Sequence, residues 1–193
     1  MARAVLGLRL GTGRAIVLIF AAFVAATSNA QPASSADCAP VGLAAVPAGR
    51  QGAVQEFERR VKLGPFYKEL TRRFGIAEFC KVTLDDGSIG LSFTYHGDAR
   101  LNATMETQIE FAEQRVQFSG LNAKSSIALL KKAEAYAFGT HGCGIEWKTP
   151  AETIAGERVG SREEVYRGDT CNCQARVIFE GSSVVGLVLR SAC

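Results

Sequence analysis

The side chains best suited to acid–base chemistry are the two histidines, His96 and His141, because imidazole changes charge near neutral pH. His96 begins the turn-like segment His96-Gly97-Asp98, and His141 stands two residues before Cys143. If the fold brought both loops together, Asp98 would orient one imidazole, and the three side chains could serve hydrolysis or phosphoryl transfer. The alternative is that both histidines are ordinary turn residues.

The sequence gives little support to a metal or cofactor site. Asp85, Asp86 and Asp98 carry oxygen ligands that a hard cation would accept, but Asp-Asp-Gly also suits a tight turn, and no EF-hand spacing accompanies it. The serines lie in no Gly-x-Ser-x-Gly motif, and no Gly-x-Gly segment follows a strand in a βαβ unit. We therefore predict no metal and no cofactor.

An even set of cysteines indicates structural disulfides. The six are Cys38, Cys80, Cys143, Cys171, Cys173 and Cys193. The Cys-Asn-Cys segment at 171–173 is too short for a zinc knuckle and differs from the redox motif Cys-x-x-Cys. In an exported chain such a set predicts up to three disulfides, and each would stabilise the fold by ~2–4 kcal/mol.

Strand register predicts one of the pairs. Residues 171–180 and 183–193 alternate between apolar and polar side chains, as in a β-hairpin. A three-residue loop at 181–183 would place Phe179 opposite Val185, Val177 opposite Leu187 and Ala175 opposite Leu189. Cys171 would then face Cys193. A two-residue Gly181-Ser182 turn is the main rival. Cys173 is left to pair with Cys143 or Cys80, and Cys38 takes the remaining cysteine.

The first thirty residues have the pattern of a secretory signal peptide. Three arginines and an apolar run at 15–26 precede small residues that end at Ala30. That run is about a dozen residues long, whereas a bilayer span needs roughly 20. We expect cleavage near Ala30, export to the periplasm or the medium, and no membrane span.

Charge argues against a nucleic-acid partner. The net charge of +3 resides in the leader, and the mature chain has 19 basic and 19 acidic residues, whereas phosphate binding needs an excess of Lys and Arg. Charge is nevertheless uneven, with eight basic and four acidic residues at 50–81 and one basic and six acidic at 85–113. These segments are either patches for charged partners or a basic helical segment that neutralises an acidic sheet face.

Periodicity predicts one α+β domain at 51–193, preceded by an extended lead-in at 31–50. Helices are expected at 51–63, 65–74 and 125–138, with Gly64-Pro65 separating the first two. Strands are expected at 78–84, 88–95, 100–111, 145–147, 158–166, 171–180 and 183–193, with a bulge or break near Glu113. This order suits an antiparallel sheet with helices packed on one face.

No sequence motif indicates a specific biochemical activity. We expect an exported, disulfide-stabilised binding or interaction domain that recognises a protein or small molecule. Two alternatives remain: a small extracytoplasmic hydrolase using His96, Asp98 and His141, and an envelope structural protein. Trp147 and Tyr166 are either core residues or a binding platform.

Overall fold

The computed structural model of the chain describes residues 48–84, 86–106, 111–137, 143–169 and 172–192. Within these ranges three α-helices and eight β-strands follow a short 3-10 helix at Ala48–Arg50. The expected leader at 1–30 lies outside the described residues, and so does the lead-in up to residue 47. Five residues that the sequence singles out lie outside them as well: Cys38, Asp85, His141, Cys171 and Cys193.

The first two helices are α1 (Gln51–Leu63) and α2 (Pro65–Phe74). Gly64 separates them with an extended backbone at φ −67° and ψ 155°. Pro65 opens α2 at a position where a helix needs no N–H donor. Gly75 ends α2 at φ 70°, a conformation that glycine adopts with least strain. Both predicted helices and the break between them are confirmed.

The third helix, α3 (Ala123–Ala137), begins two residues before the predicted start at Ser125. The side-chain oxygen of Asn122 accepts the backbone N–H of Ser125 at 2.9 Å. This hydrogen bond satisfies one of the free donors in the first turn. An N-cap therefore sets the helix start, upstream of the apolar periodicity.

The strands form one antiparallel sheet in the order β1-β2-β3-β4-β8-β7-β6-β5. They are β1 (Ile76–Thr83), β2 (Ile89–Tyr95), β3 (Arg100–Met105), β4 (Phe111–Leu121), β5 (Glu152–Ala155), β6 (Ser161–Arg167), β7 (Gln174–Glu180) and β8 (Ser183–Ala192). A helical segment thus precedes each of two four-stranded meanders, and the meanders join where β4 pairs with β8. The expected α+β class is confirmed, with the sheet as the larger part.

Two of the expected strands are wrong, and one observed strand was not expected. The segment 100–111 is not one strand, because the chain reverses after Met105, which pairs with Ala112. The parity change marks a hairpin, and Glu113 keeps regular pairing on both sides. The segment 145–147 contributes only an isolated bridge from Ile145 to Gly168. Strand β5 was not foreseen, because all four of its residues are exposed and show no apolar alternation.

The β7–β8 hairpin follows the rival turn. Glu180 pairs with Ser183, so the loop has two residues, Gly181 and Ser182. A bulge in β8 places Phe179 opposite Val184, and the expected pairing with Val185 is wrong. Beyond the bulge the register is as predicted, with Val177 opposite Leu187 and Ala175 opposite Leu189. The Cys171–Cys193 pair that this register predicts lies outside the described residues.

One hydrophobic core joins the helices to the sheet. The helices contribute Val54, Phe57, Val61, Phe66, Leu70, Leu130 and Ala133, and the strands contribute alternate residues such as Leu91, Phe93, Leu101, Val116, Val177 and Leu187. Burying a large apolar side chain stabilises a fold by roughly 1.5–3 kcal/mol. The packing of this core fixes where the outer faces of the helices lie.

A disulfide joins Cys143 to Cys173, with their Cα atoms 5.5 Å apart. It closes a loop between the segment after α3 and the residue that precedes β7. A loop of this length gives a chain-entropy stabilisation of about 3–4 kcal/mol. The pair is one of the two that the sequence left open for Cys173. Cys80 is disulfide-bonded as well, and its partner lies outside the described residues.

Candidate functional site

The proposed acid–base residues His96 and Asp98 occupy the turn between β2 and β3, where both side chains are exposed. The backbone N–H of His96 donates a hydrogen bond to the carbonyl of Gly75 at 3.1 Å, which fastens this turn to the end of α2. No hydrogen bond joins the two side chains in the described part of the chain. Since His141 lies outside that part, the proposed trio is not assembled by the described residues.

The aspartate proposed as a cation ligand has a turn role. Asp86 Oδ1 accepts the backbone N–H of Ser88 at 2.8 Å and its hydroxyl at 2.5 Å. These hydrogen bonds hold the pKa of Asp86 below its usual value. No group of three or more His, Cys, Asp or Glu side chains suited to a metal occurs among the described residues.

Trp147 and Tyr166 pack against each other with ring centroids 5.6 Å apart. Glu134 of α3 accepts the indole N–H of Trp147 at 3.2 Å and the backbone N–H of Ile145 at 3.3 Å. Tyr166 is buried and donates its hydroxyl to Glu164 at 3.1 Å. These contacts tie the segment after α3 to the helix and the sheet. They favour the core interpretation over the binding platform.

A concave surface lies between α2 and α3, and we call it the α2–α3 groove. It consists of two depressions of about 570 and 330 Å³ that share Glu69, Leu129 and Lys132. Pro65 and Tyr136 line the first, while Arg73 and Ser125 line the second. The start of α2 therefore lies beside the end of α3, and the two helices run in opposite directions along the groove.

The groove has apolar surface at its wider end. Leu63 is 41% exposed and Tyr136 is 49% exposed. Leu129 is half-buried and contributes to both depressions. Exposed apolar side chains that cluster in a concavity often mark an interaction surface.

The charge of the groove is predominantly positive. Its basic lining residues are Lys68, Arg72, Arg73 and Lys132. Glu69 is the one acidic side chain among the described lining residues, and it accepts hydrogen bonds from Arg72 at 2.9 Å and Arg73 at 2.8 Å. These hydrogen bonds, chiefly that from Arg72, hold the pKa of Glu69 below its usual value. Two guanidinium groups thus share one carboxylate.

The two lysines add positive charge, and neither pairs with an acidic side chain among the described residues. Lys132 has no hydrogen bond or ion pair within the described ranges. The Lys68 ammonium lies 5.8 Å from the centroid of the Tyr136 ring. This is the only cation–π contact of Lys68 among the described residues. An anionic ligand in the groove would therefore meet cationic groups on both helices.

Helical periodicity produces this arrangement. In α2, Phe66 and Leu70 point into the core, so Lys68 faces outward and Glu69 lies on the flank of the helix. In α3, Leu130 is in the core, and the adjacent Leu129 begins a second stripe. That stripe contains Leu129, Lys132 and Tyr136 at i, i+3 and i+7. The sequence did not reveal this second stripe, because the apolar residues of the adjacent core stripe dominate the periodicity of α3.

Comparison of the chain with protein-family models, curated proteins and solved structures gives no match. Among the described residues, no helix combines the length and the apolar character that a membrane crossing requires.

Proposed function

We propose that this protein is an exported binding domain that uses the α2–α3 groove to hold an anionic, amphipathic ligand. The observation that carries the proposal is the combination, in one groove, of exposed apolar side chains and basic residues on both walls. Apolar area supplies affinity, and the unneutralised lysines select the sign of the ligand's charge.

The placement of the groove supports this role. The helices share a core with Leu101 and its neighbours on one face of the sheet. On the opposite face Ser92 donates its hydroxyl to Asn102 at 2.8 Å. We infer that the helices cover one sheet face and that the groove lies on their outer surface. Ligand binding there would leave the core undisturbed.

Export is supported by the leader pattern at 1–30 and by the disulfide chemistry. Cys143, Cys173 and Cys80 are all disulfide-bonded. Disulfides persist in oxidising compartments and are rare in the cytosol. We therefore propose that the mature protein acts in the periplasm or the medium.

The hydrolase alternative receives less support than binding does. The exposed positions of His96 and Asp98 give neither the burial nor the orienting hydrogen bond that would adapt an imidazole for proton transfer. An envelope structural role does not account for a basic groove. The binding function is therefore the one that the described geometry favours.

The proposal is tested with dodecanoate below its micelle concentration as an anionic probe and dodecyltrimethylammonium as the matched cationic control. Amide chemical shifts are recorded on the ¹⁵N-labelled protein isolated from an oxidising compartment. We expect dodecanoate to shift the amides of Lys68, Leu129, Lys132 and Tyr136, and the cationic control to leave them unchanged. The proposal fails if neither dodecanoate nor an acidic amphipathic peptide shifts these amides.

A further inference from the structure

We infer that the natural occupant of the α2–α3 groove is an acidic amphipathic α-helix of about three turns, belonging to a partner protein. This inference rests on the proposed function, since it names the class of anionic ligand. It follows from the length of the groove, the distribution of its charges and its openness to solvent.

The length of the groove matches a short helix. The two depressions share three lining residues and therefore lie side by side in one groove. Its lining on α3 runs from Ser125 to Tyr136, which is about 16 Å at a rise of 1.5 Å per residue. A helix of about eleven residues spans the same distance.

The chemistry of the lining matches one stripe of such a helix. Leu129 is shared by both depressions, while Leu63 and Tyr136 line the wider one and Leu121 the narrower. Apolar anchors at i, i+3, i+4 and i+7 of a bound helix would contact this row. Lys68 lies on one wall and Lys132 on the other. Acidic residues on both sides of the apolar stripe would therefore meet a cation on each side.

The openness of the groove favours a peptide over a free acyl chain. Both depressions are partly open to solvent. An acyl chain lying there would keep part of its apolar surface in water, which reduces the free energy gained by burial. An amphipathic helix turns its polar face outward and leaves no comparable exposed apolar area.

The test uses a fluorescein-labelled twelve-residue peptide with leucine at helical spacing and glutamate elsewhere. The matched control peptide replaces every glutamate with lysine, and a scrambled peptide keeps the composition but loses the periodicity. Fluorescence anisotropy at physiological ionic strength measures the affinity of each peptide for the protein. The protein is expressed from the full-length sequence and used as isolated. We expect binding of the acidic helix and none of the two controls at the same concentration.

Paired variants locate the binding. Lys68→Glu with Lys132→Glu reverses one charge on each wall and should weaken binding about tenfold or more, because two attractive contacts become repulsive. Lys124→Glu with Lys131→Glu makes the same change of charge at exposed positions of α3 outside the groove lining. That control should change the affinity less than about twofold at physiological salt.

The possible results separate the two proposals. Equal binding of the acidic and basic peptides, or equal loss in both variant pairs, overturns the acidic-helix proposal. Groove shifts with dodecanoate without peptide binding overturn it too, while the proposed binding function stands. A dimer detected by sedimentation analysis, with the groove in its interface, also contradicts a partner helix, because a second copy of the chain would then occupy the groove. Absence of any groove response to either probe overturns both proposals.

Discussion

The Lys68 ammonium lies 5.8 Å from the centroid of the Tyr136 ring, so one cation–π contact bridges α2 and α3 across the groove. Both side chains are exposed, and such contacts contribute about 0.5–1 kcal/mol at exposed sites. The contact leaves the charge of Lys68 unneutralised, because an aromatic face orients a cation without removing its charge. Lys68 is thus held in place and remains able to attract an anion.

Replacing Tyr136 tests this contact. Tyr136→Leu removes the ring and should lower the free energy of unfolding by about 0.5–1 kcal/mol. Tyr136→Phe keeps the ring face and should change stability by less than about 0.5 kcal/mol. Urea denaturation of both variants measures the difference. Equal stability of the leucine and phenylalanine variants would show that the contact contributes nothing.

Two tyrosines offer a contrast between unsatisfied and satisfied hydroxyls. Tyr95 is buried, and neither its hydroxyl nor that of the nearby Thr71 has a hydrogen-bond partner among the described residues. Tyr166 donates to Glu164 at 3.1 Å. We expect Tyr95→Phe to leave stability unchanged or raise it by up to about 1 kcal/mol, and Tyr166→Phe to lower it by about 1 kcal/mol. Destabilisation by both substitutions would mean that Tyr95 does have a partner.

The same tyrosines predict a loss of stability in alkali. Burial raises the pKa of Tyr95 to about 12. Burial and Glu164 raise the pKa of Tyr166 to about 12. Each raised pKa lies above the unfolded value near 10, so the linked stability is complete below about pH 10 and declines between about pH 10 and 12. Denaturation curves across this range should show a shallower decline for Tyr95→Phe than for the wild type.

The hydrogen bonds of Glu58 predict a loss of stability in acid. It accepts hydrogen bonds from Lys62 of α1 at 2.7 Å and from Lys81 of β1 at 2.5 Å. Burial opposes these contacts, but together they lower the pKa of Glu58 below its usual value. A lowered pKa contributes stability that is present above about pH 4.5 and is lost as the pH falls through the folded-state pKa.

Glu58→Gln should therefore destabilise the protein at pH 7 by about 1 kcal/mol, because it leaves the half-buried Lys81 without its carboxylate. The advantage of the wild type should shrink as the pH falls below about 4.5, since protonation of Glu58 then opposes both hydrogen bonds. Glu56→Gln is the control, since Glu56 pairs with Arg59 and Arg60 on the exposed surface of the same helix. If the two substitutions destabilise the protein equally, the contact between α1 and β1 contributes no more to stability than the surface ion pairs of Glu56.

The partner of Cys80 can be predicted from the sheet. Cys80 is opposite Ser92, and the pairing continues through Asn102 and Arg115 to Val188 of β8. Strands are about 4.8 Å apart, so β8 lies roughly 19 Å from Cys80. A disulfide requires Cα atoms within about 7 Å.

Cys171 and Cys193 are covalently next to Asn172 and Ala192, at the β7 and β8 side of the sheet. One residue of chain spans about 3.8 Å, which is too little to reach Cys80. We therefore predict a Cys38–Cys80 disulfide beside Cys143–Cys173 and Cys171–Cys193. Peptide mapping under non-reducing conditions measures the connectivity. A peptide linking Cys80 to either of the C-terminal cysteines would contradict the sheet order.

The sequence predicted those parts of the fold where one local signal dominates. Proline and glycine mark the boundary between α1 and α2, and apolar alternation sets the register of Val177 against Leu187. Strand β5 escaped prediction because an exposed edge strand needs no apolar pattern. The alternation at 100–111 predicts one continuous strand and hides the hairpin after Met105, since parity alone does not distinguish a bulge from a reversal.

The candidate site was less accessible from sequence. The basic excess at 50–81 was visible, but the second wall comes from α3, which begins about forty residues after that segment ends. Only the antiparallel packing of α2 and α3 brings Lys68 beside Tyr136. The histidine hypothesis relied on residue type alone, without a spacing that would place the side chains together.

Lysine footprinting tests the groove most directly. The isolated protein is acetylated with an amine-reactive ester, with and without the acidic twelve-residue peptide, and each lysine is quantified by mass spectrometry. We predict that the peptide protects Lys68 and Lys132, while the exposed Lys124 and Lys131 on the same helix as Lys132 react at unchanged rates. Unchanged reactivity at Lys68 and Lys132 with the peptide bound, or protection of Lys124 and Lys131 in their place, would contradict the assignment of the groove as the binding surface.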